Sequence, residues 1–387
     1  MSADTKKSNI DIEHAFNTQY GYKAQSIASA HARVNLIGEH TDYNNGLVLP
    51  TLLPLTTNVA AAIHSSVPED TVVVCSTFEE QEDSGRAVGT THTLSLLEKK
   101  RGMWTDYVIA SLREVKKHIR GPLPGLALYI HSSIPAGAGI SSSAALEVAL
   151  IRVVKTLLSI EIGDMTIATM AQRAENEYIG LPCGLMDQMV ISLAFENHAL
   201  CINFYDQKQP SYEPAPLFKN HVFLVVFSGI SHRLAEGDGG YKTRFAQCQE
   251  ACKQLHIASL SQLSVQDLQS HTLQDTILCK RVEHVVQENK RVRDAYAALI
   301  DGDIQVFAEC MNTSHISQRD LYQCSIPEID ILCEESLAHG ALGARITGGG
   351  FGGAIVLLVH EHKKEKLRNA ILAQHKEARI LAELTVP

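Results

Sequence analysis

The sequence predicts an α+β fold of two lobes. Strand-like segments come in groups and helical segments follow in groups, without the strict alternation of a doubly wound sheet. At 387 residues the chain is long for one core. A weakly apolar stretch at 206–216, with three prolines, divides it into lobes at 1–205 and 206–387.

The elements follow in order. Residues 11–20 read as a short helix and 23–65 mostly as strands, with a turn at Asn44-Asn45-Gly46. The β-branched run 71–78 reads as a strand. Over 104–119, Val108, Leu112, Val115 and Ile119 recur at helical spacing. A strand at 126–132 leads into a glycine loop and a helix over 142–158. A helix at 166–179 turns Ile167, Met170, Ala171, Ala174 and Tyr178 inward and stops at Gly180. Another covers 185–195. Beyond 216 come a strand (222–227), four helices (241–255, 281–299, 303–315, 327–338) and two strands (344–347, 354–360) flanking a glycine run.

Composition sets bounds. A hydrophobic fraction of 45% with 20% charged residues is that of an ordinary globular chain. A net charge of −9 argues against non-specific binding to nucleic acid or a membrane surface. The apolar runs are strand-sized, far short of the ~20 residues that span a bilayer. MSADTKKSNIDIEHAF carries no apolar signal-type segment. Nine scattered cysteines without a CxxC read as free thiols, which fits the cytoplasm.

Three segments carry chemistry. In Gly137-Ala-Gly-Ile-Ser-Ser-Ser143, glycines allow positive φ and close backbone approach. The following helix offers unpaired N–H groups and the positive end of its dipole. The serines add hydroxyls, one of which can ligate Mg²⁺. This is a candidate phosphate loop, though neither a Walker A loop nor GxGxxG; a serine-capped glycine turn would look the same. Gly348, Gly350 and Gly353 do match GxGxxG, but a strand follows, so this run reads as a tight hairpin with close backbone approach. Arg33, Glu39, His40 and Asp42 interleave with apolar Val34, Leu36 and Ile37, so they are not a solvated charge run. They suit either the hydroxyls of a polyol or a salt-bridged loop closing a sheet. Asp187 opens a helix, where the dipole favours its charge; Glu175, taken alone, reads as a surface carboxylate.

Taken together, RVNLIGEHTDYNNG resembles the galactokinase signature, while PAGAGISSSAA and ITGGGFGG resemble the second and third motifs of the GHMP kinases. The resemblance covers nearly the whole chain. It implies a ribosomal S5 domain 2-like N-terminal lobe, a ferredoxin-like C-terminal lobe, and transfer of phosphate from ATP to the C1 hydroxyl of α-D-galactose. It also implies roles. Glu39, His40, Thr41 and Asp42 would bind the sugar, with Gly184 and Tyr241 closing on it. Gly137, Ala138, Gly139, Ile140, Ser141, Ser142 and Ser143 would wrap the triphosphate, with Trp104 bordering the adenine. Ser143 and Glu175 would ligate Mg²⁺, Asp187 would act as base, and Arg33 would stabilise the transition state. Two departures stand out: His31-Ala32 replaces the family's Pro-Gly, and the loop at 232–241 is longer. Arabinose, galacturonate and N-acetylgalactosamine are alternative sugars. A non-catalytic sugar and ATP sensor is the alternative of another class.

Overall fold

The computed structural model describes residues 3–77, 90–181, 183–206, 208–230, 240–270 and 273–386. The long loop before Tyr241 lies outside them, at 231–239. The chain forms two compact units. The first joins Met1–Ala32, Leu55–Pro135 and Ser141–Leu193; the second joins Arg33–Pro54, Ala136–Ile140 and Ala194–Pro387.

In chain order the first elements are α1 (Ala3–Tyr20), β1 (Ser26–Asn35), β2 (Leu47–Val48), β3 (Pro50–Ile63), β4 (Thr71–Ser76), β5 (Thr91–Ser95), α2 (Thr105–Lys116), β6 (Leu126–Ser132), α3 (Ser142–Leu157), α4 (Asp164–Arg173) and α5 (Met186–Leu193). In the first unit β6 runs antiparallel to β3 and parallel to β4, and β5 pairs with β4. Period-two alternation puts Ala60, Ala62, Cys75, Ala127 and Tyr129 on one face, where Ile12 and Phe16 of α1 cover them. Helices α2 to α5 pack on one another. Val108, Leu112 and Val115 of α2 are fully buried, as their spacing requires. After α4 the backbone widens into a π-helix over Ala174–Ile179, which Gly180 ends at φ 74°.

The second unit adds β7 (His198–Asn203), β8 (Ser211–Pro216), β9 (His221–Phe227), α6 (Gly240–Leu255), α7 (Thr276–Asp301), α8 (Ile304–Ser317), α9 (Pro327–Ala338), β10 (Gly343–Thr347), β11 (Ala354–His360), α10 (Lys364–Gln374) and β12 (Arg379–Thr385). The antiparallel order is β10-β11-β9-β12. Val222, Leu224, Val226, Ile355, Leu357 and Val359 face α9 and α10. Phe223, on the other face, meets Phe307 of α8 at 5.8 Å. Thr347 pairs with Ala354, so the glycine run is a hairpin loop, as the sequence indicates. The proline-bearing stretch differs from expectation: its second half is β8, paired antiparallel to β7. Prolines survive there because, among the described strands, β8 pairs with β7 alone.

Three buried histidines in this unit are held neutral. Burial pushes His284 and His315 down to about 4 from 6.5, and His40 well below its usual value. Between pH 6.5 and 4 the unfolded imidazoles bind protons that the folded ones refuse. Stability is thus complete above pH 6.5 and should fall by roughly 1.4 kcal/mol per pH unit for each such histidine below it. Urea midpoints at pH 7 and 5.5 check this, and equal midpoints would contradict it.

Candidate active site

The serine loop is built from alternating conformations. Gly137, Gly139 and Ser141 have φ of 73°, 77° and 63°, while Ala138 and Ile140 bury their side chains at 3% and 1% exposure. Those two can therefore offer a ligand only backbone. A Cβ on Gly137 would meet no atom of the described residues within 4 Å. Ser141 makes no side-chain cap to α3, its φ and ψ of 63° and 49° lying outside the extended region of a capping residue, and its hydroxyl donates to Asp187 Oδ2. The N-terminus of α3 thus keeps the geometry that binds anions.

Behind it, the first unit gathers carboxylates. Ser143 Oγ donates to Glu175 Oε1 at 3.0 Å, and Gln188 Nε2 donates to Glu175 Oε2 at 2.9 Å. The π-turn carries Glu175 inward to 8% exposure, which corrects its reading as a surface carboxylate. Burial and the nearby Asp187 charge raise its pKa. Glu147 is fully buried, and neither of its oxygens has a well-formed hydrogen bond among the described residues. Burial, then Glu175, push its pKa well up, with Gln188 offsetting this in part. Glu147 stands one turn beyond Ser143, so i,i+4 spacing could have found it.

This donor set fits a divalent cation. Among the described residues no group of three or more His, Cys, Asp or Glu is arranged to hold a metal. One hydroxyl and one carboxylate suit Mg²⁺, which takes few protein ligands and completes its shell with phosphate and water. A cation would also relieve the mutual repulsion of Glu147, Glu175 and Asp187. Trp104 precedes α2 in this unit, edge-on to His92 at 5.9 Å. Buried Asp106 organises its turn by accepting from the N–H groups of Arg101 and Met103, at 3.0 and 3.2 Å to Oδ2. Gly184 lies in the segment between Cys183 and α5.

The second unit holds the first motif. Arg33, 5% exposed, donates through Nη1 to Gly139 O at 2.9 Å, and its N–H reaches Ile140 O at 3.2 Å. Glu39 is 3% exposed. Its Oε1 accepts from Gly348 N at 2.9 Å and Thr347 Oγ1 at 3.0 Å, with Arg345 Nη1 at 3.5 Å; its Oε2 accepts from Asn35 Nδ2 at 3.0 Å. Glu39 therefore ties the first motif to the third. Thr41 is fully buried, its hydroxyl shared between Gly38 O and Leu47 O, where it closes the turn. Half-buried Asp42 opens a short 3-10 turn. His40 and Tyr241, 201 positions apart in sequence, have ring centroids 5.7 Å apart.

Sequence reasoning missed Arg345. Its signal is a charged residue inside a wholly buried strand. The third motif also backs the serine loop: a Cβ on Gly348, at φ +83°, would lie 3.0 Å from Gly139 O. Gly348→Ala should cost about 1–3 kcal/mol of strain and raise the ATP KM more than the sugar KM in steady-state kinetics. An unchanged ATP KM would separate the two loops.

The fold and the motifs it carries point to a class, the GHMP-type small-molecule kinases. Models of the GHMP kinase N-terminal and C-terminal domains match residues 106–194 and 295–377. The galactokinase galactose-binding signature matches residues 14–63. The chain belongs to the galactokinase family. It is 34% identical to the galactokinase of Haemophilus influenzae (strain PittEE) over 96% of this chain and 95% of that one. It is 36% identical to the galactokinase of Canis lupus familiaris, over 94% and 91%. A crystal structure of Lactococcus lactis galactokinase complexed with galactose matches with a TM-score of 0.88 at 28% identity, over 98% of each chain. The Methanococcus jannaschii mevalonate kinase shares the fold, at a TM-score of 0.64 and 18% identity.

Proposed function

We propose that the chain transfers the γ-phosphoryl group of ATP to the C1 hydroxyl of α-D-galactose, giving galactose 1-phosphate and ADP for galactose catabolism. Asp187 accepts or orients the C1 hydroxyl proton, and Arg33 stabilises the charge on the transferring group. One observation carries this assignment. Arg33 is anchored on Gly139 and Ile140, and Asp187 on Ser141, three consecutive residues of one loop. Phosphoryl transfer asks the protein for positioning and charge neutralisation, and this loop supplies both.

Backbone of residues 137–140 and the N–H and hydroxyl groups of Ser141 to Ser143 hold the triphosphate, with Trp104 beside the adenine. Ser143 and Glu175 hold Mg²⁺, which when bound neutralises phosphate charge. Glu39, His40 and Asp42 grip sugar hydroxyls, Thr41 shapes their turn, and Gly184 and Tyr241 complete the contact. A division into lobes at 1–205 and 206–387 is supported by the two domain models, which fall one in each, while the compact units cut across it, with residues 33–54, 136–140 and 194–205 in the second. Nine free thiols support a cytoplasmic setting. No described helix is long and apolar enough to cross a membrane.

The test is ³¹P NMR after incubation with galactose, ATP and Mg²⁺, beside arabinose, galacturonate and N-acetylgalactosamine. An α-sugar 1-phosphate from galactose is expected. Faster turnover of another sugar would change the substrate, and binding without turnover would overturn catalysis. Glu39→Gln should raise the galactose KM several-fold and leave the ATP KM nearly unchanged. Equal effects would take Glu39 out of sugar recognition.

A further inference from the structure

Under the first motif lies a chain of hydroxyls that the proposed reaction does not use. Tyr43 Oη is 2.9 Å from His40 Nδ1 and 2.6 Å from Tyr322 Oη, and Tyr322 Oη is 3.2 Å from Cys248 Sγ. The His40 ring stacks on Tyr322, with centroids 4.5 Å apart and planes at 27°. His40 is 4% exposed and sits at φ 64°, and its Nε2 has no hydrogen-bond partner among the described residues. Buried orphan polar atoms and left-handed non-glycine backbone are both costly, and they persist where surrounding structure holds them for a task.

We propose that Tyr43 and Tyr322 are positioning residues: their hydroxyl relay fixes His40 as the Nε2–H tautomer and presents that N–H as a donor to a sugar hydroxyl oxygen.

The direction of the relay follows from acceptor strength. Each phenol has one hydrogen, the imidazole nitrogen is the best acceptor in the chain, and thiol sulfur is a weak one. The favourable order is Cys248 S–H to Tyr322, Tyr322 O–H to Tyr43, and Tyr43 O–H to Nδ1. The reverse order would leave a phenol O–H on sulfur. Burial, His284 and Arg244 keep His40 neutral, so Nε2 carries the single N–H. The stack on Tyr322 holds the ring plane, and the unmet donor then selects for an oxygen at one position of the ligand.

This inference rests on His40 facing the sugar, and the experiment separates the two claims. In protein labelled with ¹⁵N-histidine, long-range ¹H–¹⁵N correlation distinguishes the tautomers, and His40→Gln assigns the His40 signals by their loss. The wild type should show one Nε2–H tautomer. Tyr43→Phe should mix the tautomers and raise the galactose KM about tenfold, the effect of one lost hydrogen bond, with the ATP KM within twofold. Tyr322→Phe, which keeps the stack, should shift both readouts in the same direction. An Nδ1–H wild type, or a Tyr43→Phe variant with unchanged tautomer and sugar KM, would overturn the relay. If His40→Gln leaves the galactose KM unchanged, the sugar contact of His40 is wrong whatever the spectra show.

Discussion

Asp187→Asn should lower kcat by about 10²–10⁴-fold and leave the fold intact. Asparagine keeps the shape of the side chain and an oxygen to accept from the Ser141 hydroxyl, which donates to Asp187 Oδ2. It loses the negative charge and the capacity to take a proton. Single-turnover rates beside thermal unfolding curves measure the two effects separately. In a loose transition state the proton leaves late, so a weak base suffices and orientation carries much of the rate. Near-normal turnover in the variant would dismiss Asp187 as base and as orienting group alike.

Arg345→Met should cost roughly 3–5 kcal/mol of stability, because it leaves the Glu39 carboxylate buried without its cation. Both residues are nearly inaccessible, at 0% and 3% side-chain exposure, and Arg345 Nη1 also donates to Asn35 O at 2.9 Å. The double variant Glu39→Gln, Arg345→Met removes both charges together and should recover most of the loss in urea unfolding. Its galactose KM should nonetheless stay raised, since the clamp between the first and third motifs is gone. A single variant as stable as the parent would show the ion pair to be dispensable. A double variant no more stable than Arg345→Met would place the loss in packing and not in the orphaned charge.

Much of the candidate site was legible because its signals are local. Gly137 and Gly139 between a strand and a helix announce a backbone that turns through positive φ, and both do. Gly180 ends its helix at positive φ, and Asp303 caps α8 by accepting from Gln305 and Val306. These depend on a few consecutive dihedrals and on side chains reaching their own backbone. Other elements were not legible. α10 buries only Leu367 and Ile371, too few apolar positions to mark a helical face. β8 carries prolines that a single-sequence reading takes as a break, and only its pairing with β7 makes it a strand.

By itself the sequence determined the class of chemistry, the α+β content, the positive-φ turn of the glycine–serine loop and the identities of the polar groups in the first motif. Those follow from residue type and short-range spacing, which the covalent chain imposes. Tertiary structure alone decided what these groups are attached to. It alone set Glu39 on the Thr347 hydroxyl and the Gly348 N–H, Glu175 inward on a π-turn and Tyr322 under His40, partners 282 positions away in the last case. Such contacts are chosen by burial: a polar atom taken from water must find a partner wherever the fold supplies one, and no local pattern records which one it will be.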